Sequence, residues 1–345
     1  MKAAVLFQTG QPLRIIEGIN VPSLQKGQVL VSVLYSGLCH SQLMEVCGGR
    51  GEDKYLPHLL GHEGMGVVQE IGEGVTKVSQ GDHVVIGWIK GEGLDAPGGK
   101  YEHDGYLINS GSATTLTEKT IVAENRLVKL PKGFPHKLAV LLGCALPTGL
   151  GLVFNELKPK ENKSIAIFGL GGIGMSALLA CKLSNPSILI AVDISEEKLA
   201  LAKQLGASHT INASETDPVQ KIHELTQGGV DYSLEAGAST KTIEQAFEAL
   251  RDGGGQCIFA SHPSDDQKIQ LEPHAFHRGK QIKGSWGGGS FPDKDIPKFT
   301  SLYSQGKLDL APLISHEFPL SEINEALQAM RDKKLVRALI KVSEA

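Results

Sequence analysis

Through residues 1 to about 140, apolar positions come in short runs that a glycine or a polar turn soon closes. Residues 1–7, 28–35, 66–72 and 82–86 each carry the branched, turn-bounded pattern of a strand. Strands this short at this spacing predict a barrel-like β domain. The rhythm changes after Pro147. Ser164–Phe168 reads as an apolar strand, a glycine-rich loop follows, and residues 175–183 read as a helix. Ile188–Asp193 is a second strand, and Glu196–Leu205 is an amphipathic helix stopped by Gly206. Further strands fall at Tyr232–Glu235, 256–260 and 281–285. Strands alternating with helices predict a parallel, doubly wound sheet. From Phe291 onward the pattern returns to helices and a last strand, 338–342, expected to pack back on the first domain. The predicted class is α/β, with a doubly wound parallel sheet domain and a β-rich, barrel-like domain.

Length supports two domains, because 345 residues exceed the size at which one core keeps growing. The formal net charge of -4, without a long basic tract, speaks against nucleic acid and anionic membranes as partners. The longest uncharged run, 138–155, is broken by Gly143, Pro147, Gly149 and Gly151, so it reads as buried helix and loop rather than a membrane span. Cys39, Cys47, Cys144, Cys181 and Cys257 are odd in number and scattered, which suits a reducing compartment rather than a disulfide framework. The N-terminal run meets Gln8 and Gly10 too soon for a signal peptide. A cytoplasmic location is expected.

Gly169-Leu170-Gly171-Gly172-Ile173-Gly174 follows a strand and opens a helix, and Asp193 ends the next strand. That context turns a weak glycine pattern into a dinucleotide-binding fingerprint. The first glycine makes the turn, the second lets backbone approach the pyrophosphate, and the last lets helix and strand pack closely. Helix N-terminal N–H groups face the phosphates. A carboxylate at Asp193 can accept from the ribose hydroxyls of NAD and would repel the 2′-phosphate of NADP by roughly 1–4 kcal/mol. No arginine follows it, and Lys198 is the next candidate at that end of the cofactor. The cofactor is read as NAD.

Two cysteines and a histidine carry the remaining chemistry. Cys39, His62 beside Glu63, and Cys144 supply two thiolates and an imidazole, the donors of a three-ligand zinc site with its fourth position open. Any one of them alone would more often be a buried or surface bystander.

In order along the chain, Gly37-Leu38-Cys39-His40-Ser41, Gly61-His62-Glu63-Gly64-Met65-Gly66-Val67-Val68, Gly81-Asp82-His83-Val84, Gly143-Cys144-Ala145-Leu146-Pro147-Thr148-Gly149 and Phe318-Pro319-Leu320-Ser321-Glu322-Ile323-Asn324-Glu325-Ala326 resemble the zinc-dependent alcohol dehydrogenases. These belong to the medium-chain dehydrogenase/reductase family, and the resemblance covers essentially the whole chain. It implies a GroES-like, zinc-binding catalytic domain over residues 1–145 and 287–345 and an NAD-binding Rossmann domain over residues 146–286. It implies that Cys39, His62 and Cys144 bind the catalytic zinc, with Glu63 in or near the coordination shell. By the same matching His40 and Arg337 contact the cofactor pyrophosphate and Thr148 packs against the nicotinamide. Ser41 begins the proton relay, and Trp88 forms an aromatic wall of the substrate pocket. The implied reaction is hydride transfer between a small alcohol, or its aldehyde or ketone, and NAD, with zinc polarising the substrate oxygen. A homo-oligomer, dimer or tetramer, is implied as well.

Three departures from the family pattern matter. The stretch 87–116, where many members carry a four-cysteine zinc lobe, has no cysteine. One catalytic zinc per chain and no structural zinc is therefore expected, with residues 90–99 forming an ordered or partner-contacting loop. Gln42 stands where an aspartate usually orients the zinc-binding histidine. Its amide oxygen is expected to accept from His62 without adding charge, a change that at this distance alters metal affinity or activity about 10–100-fold. Met44 replaces the histidine that ends the relay, so the proton leaves by another route, from the cofactor ribose directly to water. Cys47, His274 and His277 read as bystanders. A polyol or sugar dehydrogenase on the same fold is the alternative, disfavoured because its third ligand is generally a glutamate rather than Cys144. A zinc-free reductase is disfavoured because all three ligands are present. A catalytically silent relative is the third reading, resting on Gln42 and Met44.

Overall fold

The computed structural model describes residues 1–264, 266–333 and 335–344. The chain forms two compact units, one of residues 1–144, 291–301 and 313–345, the other of residues 145–290 and 302–312. The short stretch 302–312 thus groups with the second unit, not with the tail around it.

The first unit is built on a seven-stranded sheet. Along its path lie Leu127–Lys129, His83–Ile86, Gly64–Ile71, Gln28–Leu38, Ala338–Lys341 and His316–Pro319, and Lys119–Ala123 also pairs with Gln28–Leu38. Neighbours are antiparallel except His316–Pro319, which runs parallel to Ala338–Lys341. The long strand Gln28–Leu38 is the hub. Its register against Gly64–Ile71 shifts twice, between Leu30 and Val31 and between Val33 and Tyr35. Such irregularities bend a strand and increase its twist. Val31, Val33, Leu38, Ile86, Leu116 and Ile340 are fully buried together inside. The tail does return to this unit through Ala338–Lys341. His316–Pro319 had no strand signature, because Phe318 is its one large apolar residue and the strand is mostly exposed.

Residues 90–99 are ordered without any cysteine. The buried Glu124 carboxylate accepts the backbone N–H groups of Thr76, Lys77 and Leu94 at 2.6, 2.5 and 2.8 Å. Lys90 pairs with Asp95 at 2.6 Å, and the Asn125 amide donates to Asp95 at 3.1 Å.

The second unit holds a six-stranded parallel sheet in the order His209–Asn212, Ile188–Asp193, Ser164–Phe168, Tyr232–Glu235, Gln256–Phe259, Gln281–Gly284. Its central strand is buried from Ile165 to Phe168, which explains the unbroken apolar run: strands covered on both faces do not alternate. The helix after it spans Gly172–Leu183 and so begins three residues before its apolar pattern does. Glycine is a poor helix former, and its presence hid that first turn. Among the described residues no single helix is long and apolar enough to cross a membrane. The uncharged run breaks into Val140–Gly143, Ala145–Gly151 and Leu152–Leu157, largely buried.

Candidate metal centre and cofactor loop

Cys39 directly follows the hub strand and caps the start of the helix His40–Val46. His62 and Glu63 sit just before the strand Gly64–Ile71, after a turn at Gly61. Gly61 has φ +96°, and a Cβ there would come within 2.8 Å of the Thr115 backbone nitrogen, so only glycine makes this turn without displacing its neighbour. Cys144 follows the turn Val140–Gly143. Three separate elements thus deliver Cys39, His62 and Cys144, whose ligand atoms all lie within 4.8 Å of one another. His62 Nε2 is 3.3 Å from Cys144 Sγ. Among the described residues no other three His, Cys, Asp or Glu side chains converge this way.

The two thiols share their protons unequally. A hydrogen bond from Cys144 holds the Cys39 thiol well below its usual range, against the opposing effect of burial. Cys144, donating to Cys39 and buried, is pushed well above its own. Burial pulls His62 down, but the adjoining Cys39 outweighs it and raises the imidazole above its ordinary value. Two cysteine sulfurs and one imidazole in contact form a soft donor set that suits zinc, whose binding would release the thiol protons.

Behind the donors, Glu63 is fully buried and ion-paired with Arg337, itself 5% exposed. Burial raises the Glu63 carboxyl while Arg337 opposes it. Glu63 Oε2 and Arg337 Nε have no hydrogen-bond partner among the described residues. The carboxyl lies against two glycines: a Cβ on Gly37 would come within 2.6 Å of Glu63 Cδ, and one on Gly143 within 2.8 Å of Glu63 Cβ. The sequence suggested a pyrophosphate contact for Arg337 but not this pairing, and its one hint was an arginine directly before the apolar strand Ala338–Lys341.

Gln42 differs from expectation. Its oxygen accepts the Cys39 backbone N–H at 2.9 Å, and its Nε2 lies 2.6 Å from His62 Nδ1, so in this arrangement the amide faces His62 as a donor. The competing demand came from the helix: the third residue of a first turn commonly reaches back to the capping residue's N–H. Ser41 Oγ is 3.4 Å from the same Nδ1, His40 is exposed on the first turn, and Met44 is half-buried. Gln42, His62 and Trp88 share the wall of a cleft of about 320 Å³. Trp88 is half-buried, and its carbonyl accepts from Arg126. Cys47 is exposed with Arg331 donating to its sulfur, and His274 and His277 are exposed ring neighbours.

In the second unit, Gly169 has φ +87°, and a Cβ there would press on Gly237. A Cβ on Gly174 would overlap the Gly169 carbonyl oxygen, whereas the space beside Gly171 is open, as a phosphate needs. Ile173 follows Gly172 in the first turn of the helix. Asp193 Oδ2 accepts from Leu170 N at 2.6 Å, and Oδ1 from the Ile194 and Ser195 N–H groups at 2.8 and 3.0 Å. Lys198 is half-buried on the following helix. Thr148 is buried on Ala145–Gly151, and its hydroxyl has no partner among the described residues. An open glycine loop, an N-terminal helix turn and an unsatisfied buried hydroxyl fit a dinucleotide.

Comparison with known proteins agrees. The family model for the alcohol dehydrogenase GroES-like domain matches residues 25–132, and that for zinc-binding dehydrogenases matches residues 172–305. The chain is 34% identical to an S-(hydroxymethyl)glutathione dehydrogenase of Synechocystis sp., over 98% of this chain and 99% of that protein. It is 32% identical to alcohol dehydrogenase 1 of Pisum sativum, over 99% and 97%. The crystal structure of benzyl alcohol dehydrogenase from Acinetobacter calcoaceticus superposes with a TM-score of 0.90 at 33% identity, covering 99% of each chain. These relatives favour the alcohol reading over the polyol or sugar alternative. The chain belongs to the zinc-dependent alcohol dehydrogenases of the medium-chain dehydrogenase/reductase family and is an NAD-dependent oxidoreductase of alcohols and their carbonyl counterparts.

Proposed function

We propose that Cys39 Sγ, His62 Nε2 and Cys144 Sγ hold the catalytic zinc, with Glu63 behind them, and that the substrate enters the cleft beside Trp88. The convergence of three zinc-type donors, of which His62 lines that cleft, carries the reading. Zinc supplies a Lewis acid for the substrate oxygen and NAD supplies or takes the hydride. The chain's own residues do the rest. Ser41 Oγ would receive the hydroxyl proton while handing its own to the cofactor ribose and so to water, since Met44 offers no acceptor to extend the relay. Trp88 gives the pocket an apolar wall. Arg337 neutralises Glu63 and, with the exposed His40, is the candidate for the cofactor phosphates.

In the second unit Gly169, Gly171, Gly172, Ile173 and Gly174 cradle the pyrophosphate. Asp193 keeps one lone pair on Oδ2 for a ribose hydroxyl, with Lys198 nearby in sequence, and Thr148 offers its hydroxyl to the nicotinamide end. The five free cysteines support a reducing, cytoplasmic location. The last strand of the sheet, Gln281–Gly284, pairs on one side only among the described residues and leads to Trp286, which is 71% exposed. That supports a homo-oligomer assembled through this edge.

Metal analysis of the purified protein, joined to NAD-dependent oxidation of an alcohol panel, tests the reading. About one zinc per chain and NADH formation are expected. Activity without zinc would overturn the site.

A further inference from the structure

Gln42 has one oxygen, and two N–H groups at the metal centre need it. The side chain is 2% exposed. In the structure the oxygen takes the Cys39 N–H and closes the first turn of His40–Val46, while the NH₂ group stands 2.6 Å from His62 Nδ1 and 3.2 Å from Ser41 Oγ. Nδ1 is then the acceptor, and the ring proton sits on Nε2, the nitrogen that faces Cys144. An imidazole in that tautomer has no lone pair on Nε2 to give a metal. Metal on Nε2 puts the proton on Nδ1, where it points at a second donor. Turning the amide over satisfies His62 but sets the NH₂ group against the Cys39 N–H. Whichever way the amide turns, one buried N–H faces its NH₂ group instead of its oxygen, and the nearest other acceptor, Ser41 Oγ, stands 3.4 Å from Nδ1, a long contact that a second oxygen on residue 42 would replace.

We propose that Gln42 is a positioning residue that sets how firmly the centre holds its metal. On loading, its amide turns, and the hydrogen bond gained by His62 is taken from the cap of the helix that starts at Cys39. The proposal rests on Cys39, His62 and Cys144 being the zinc ligands. A carboxylate of the same shape serves both donors at once, so the amide keeps the metal more releasable than a glutamate would.

Zinc release from the loaded protein to the chelating dye 4-(2-pyridylazo)resorcinol tests this in wild type, Gln42→Glu and Gln42→Ala. The isosteric Gln42→Glu should release zinc about 10–100-fold more slowly than wild type. Gln42→Ala, with no acceptor to offer, should release it faster than wild type. Release from Gln42→Glu as fast as from wild type overturns the proposal. So does release from Gln42→Ala at the wild-type rate, because then charge alone, not the shared oxygen, matters. A wild-type protein that binds no zinc would instead overturn the ligand assignment itself.

Discussion

Glu63 and Arg337 neutralise one another in a place solvent does not reach, with Glu63 wedged between Gly37 and Gly143 beside the three candidate metal donors. Removing one partner of such a pair leaves a buried charge uncompensated, at about 3–5 kcal/mol, whereas replacing both by neutral groups is often harmless. Arg337→Met should therefore destabilise the protein by that amount, and adding Glu63→Gln should recover most of it. Urea unfolding of the two single variants and the double variant measures this. Equal losses in the Arg337→Met and double variants would count against the pair.

Cys144→Ser should remove the zinc and cut turnover by more than the about 10–100-fold typical of residues that touch a ligand rather than the metal. NAD binding, followed by quenching of protein fluorescence, should persist, because the glycine loop belongs to the other unit. Loss of NAD binding along with the zinc would break this division of labour.

The loop itself can be probed at Gly174, where a methyl group would overlap the Gly169 carbonyl oxygen. Gly174→Ala should weaken NAD binding by about 1–3 kcal/mol, the usual range for forced overpacking. Zinc content should remain as in wild type. A variant with unchanged NAD affinity would show that the loop relaxes freely.

Glu124 should make the order of residues 90–99 sensitive to acid. Burial raises its carboxyl, but bonds from the Leu94, Lys77 and Thr76 N–H groups outweigh that and hold it below its ordinary value. A depressed acid contributes its stability above the unfolded value, about 4.3, and loses it as pH falls through the lower folded value. Glu124→Gln should cost about 2 kcal/mol at neutral pH. The gap between the melting curves of variant and wild type should narrow steadily from about pH 4 downward. A gap independent of pH would assign the loss to packing instead.

Much of this is legible in the sequence. Ile188–Asp193 and Glu196–Leu205 carry full-length periodic patterns, and both elements have those bounds. Cys39, His62 and Cys144 were singled out by their glycine-flanked settings, and they converge. What stayed hidden depends on side chains distant in sequence or on competition for one atom. Nothing in the chain places Arg337 on Glu63, because a buried ion pair has no local signature. The sense of the Gln42 hydrogen bond is not legible in the sequence, because the Cys39 N–H, brought in by the fold, wants the same oxygen as His62. His316–Pro319 was missed because edge strands with one apolar residue look like loops.

Gly37 and Gly143 look like ordinary punctuation between a strand and a turn. Since a side chain at Gly37 would press on Glu63, and one at Gly143 on both Glu63 and the Ile86 carbonyl, they are parts of the candidate metal centre that bear no functional group at all. A saturation scan should find them nearly as intolerant as the thiols. The earliest damage should show in how the centre holds its ion, before it shows in how the protein melts.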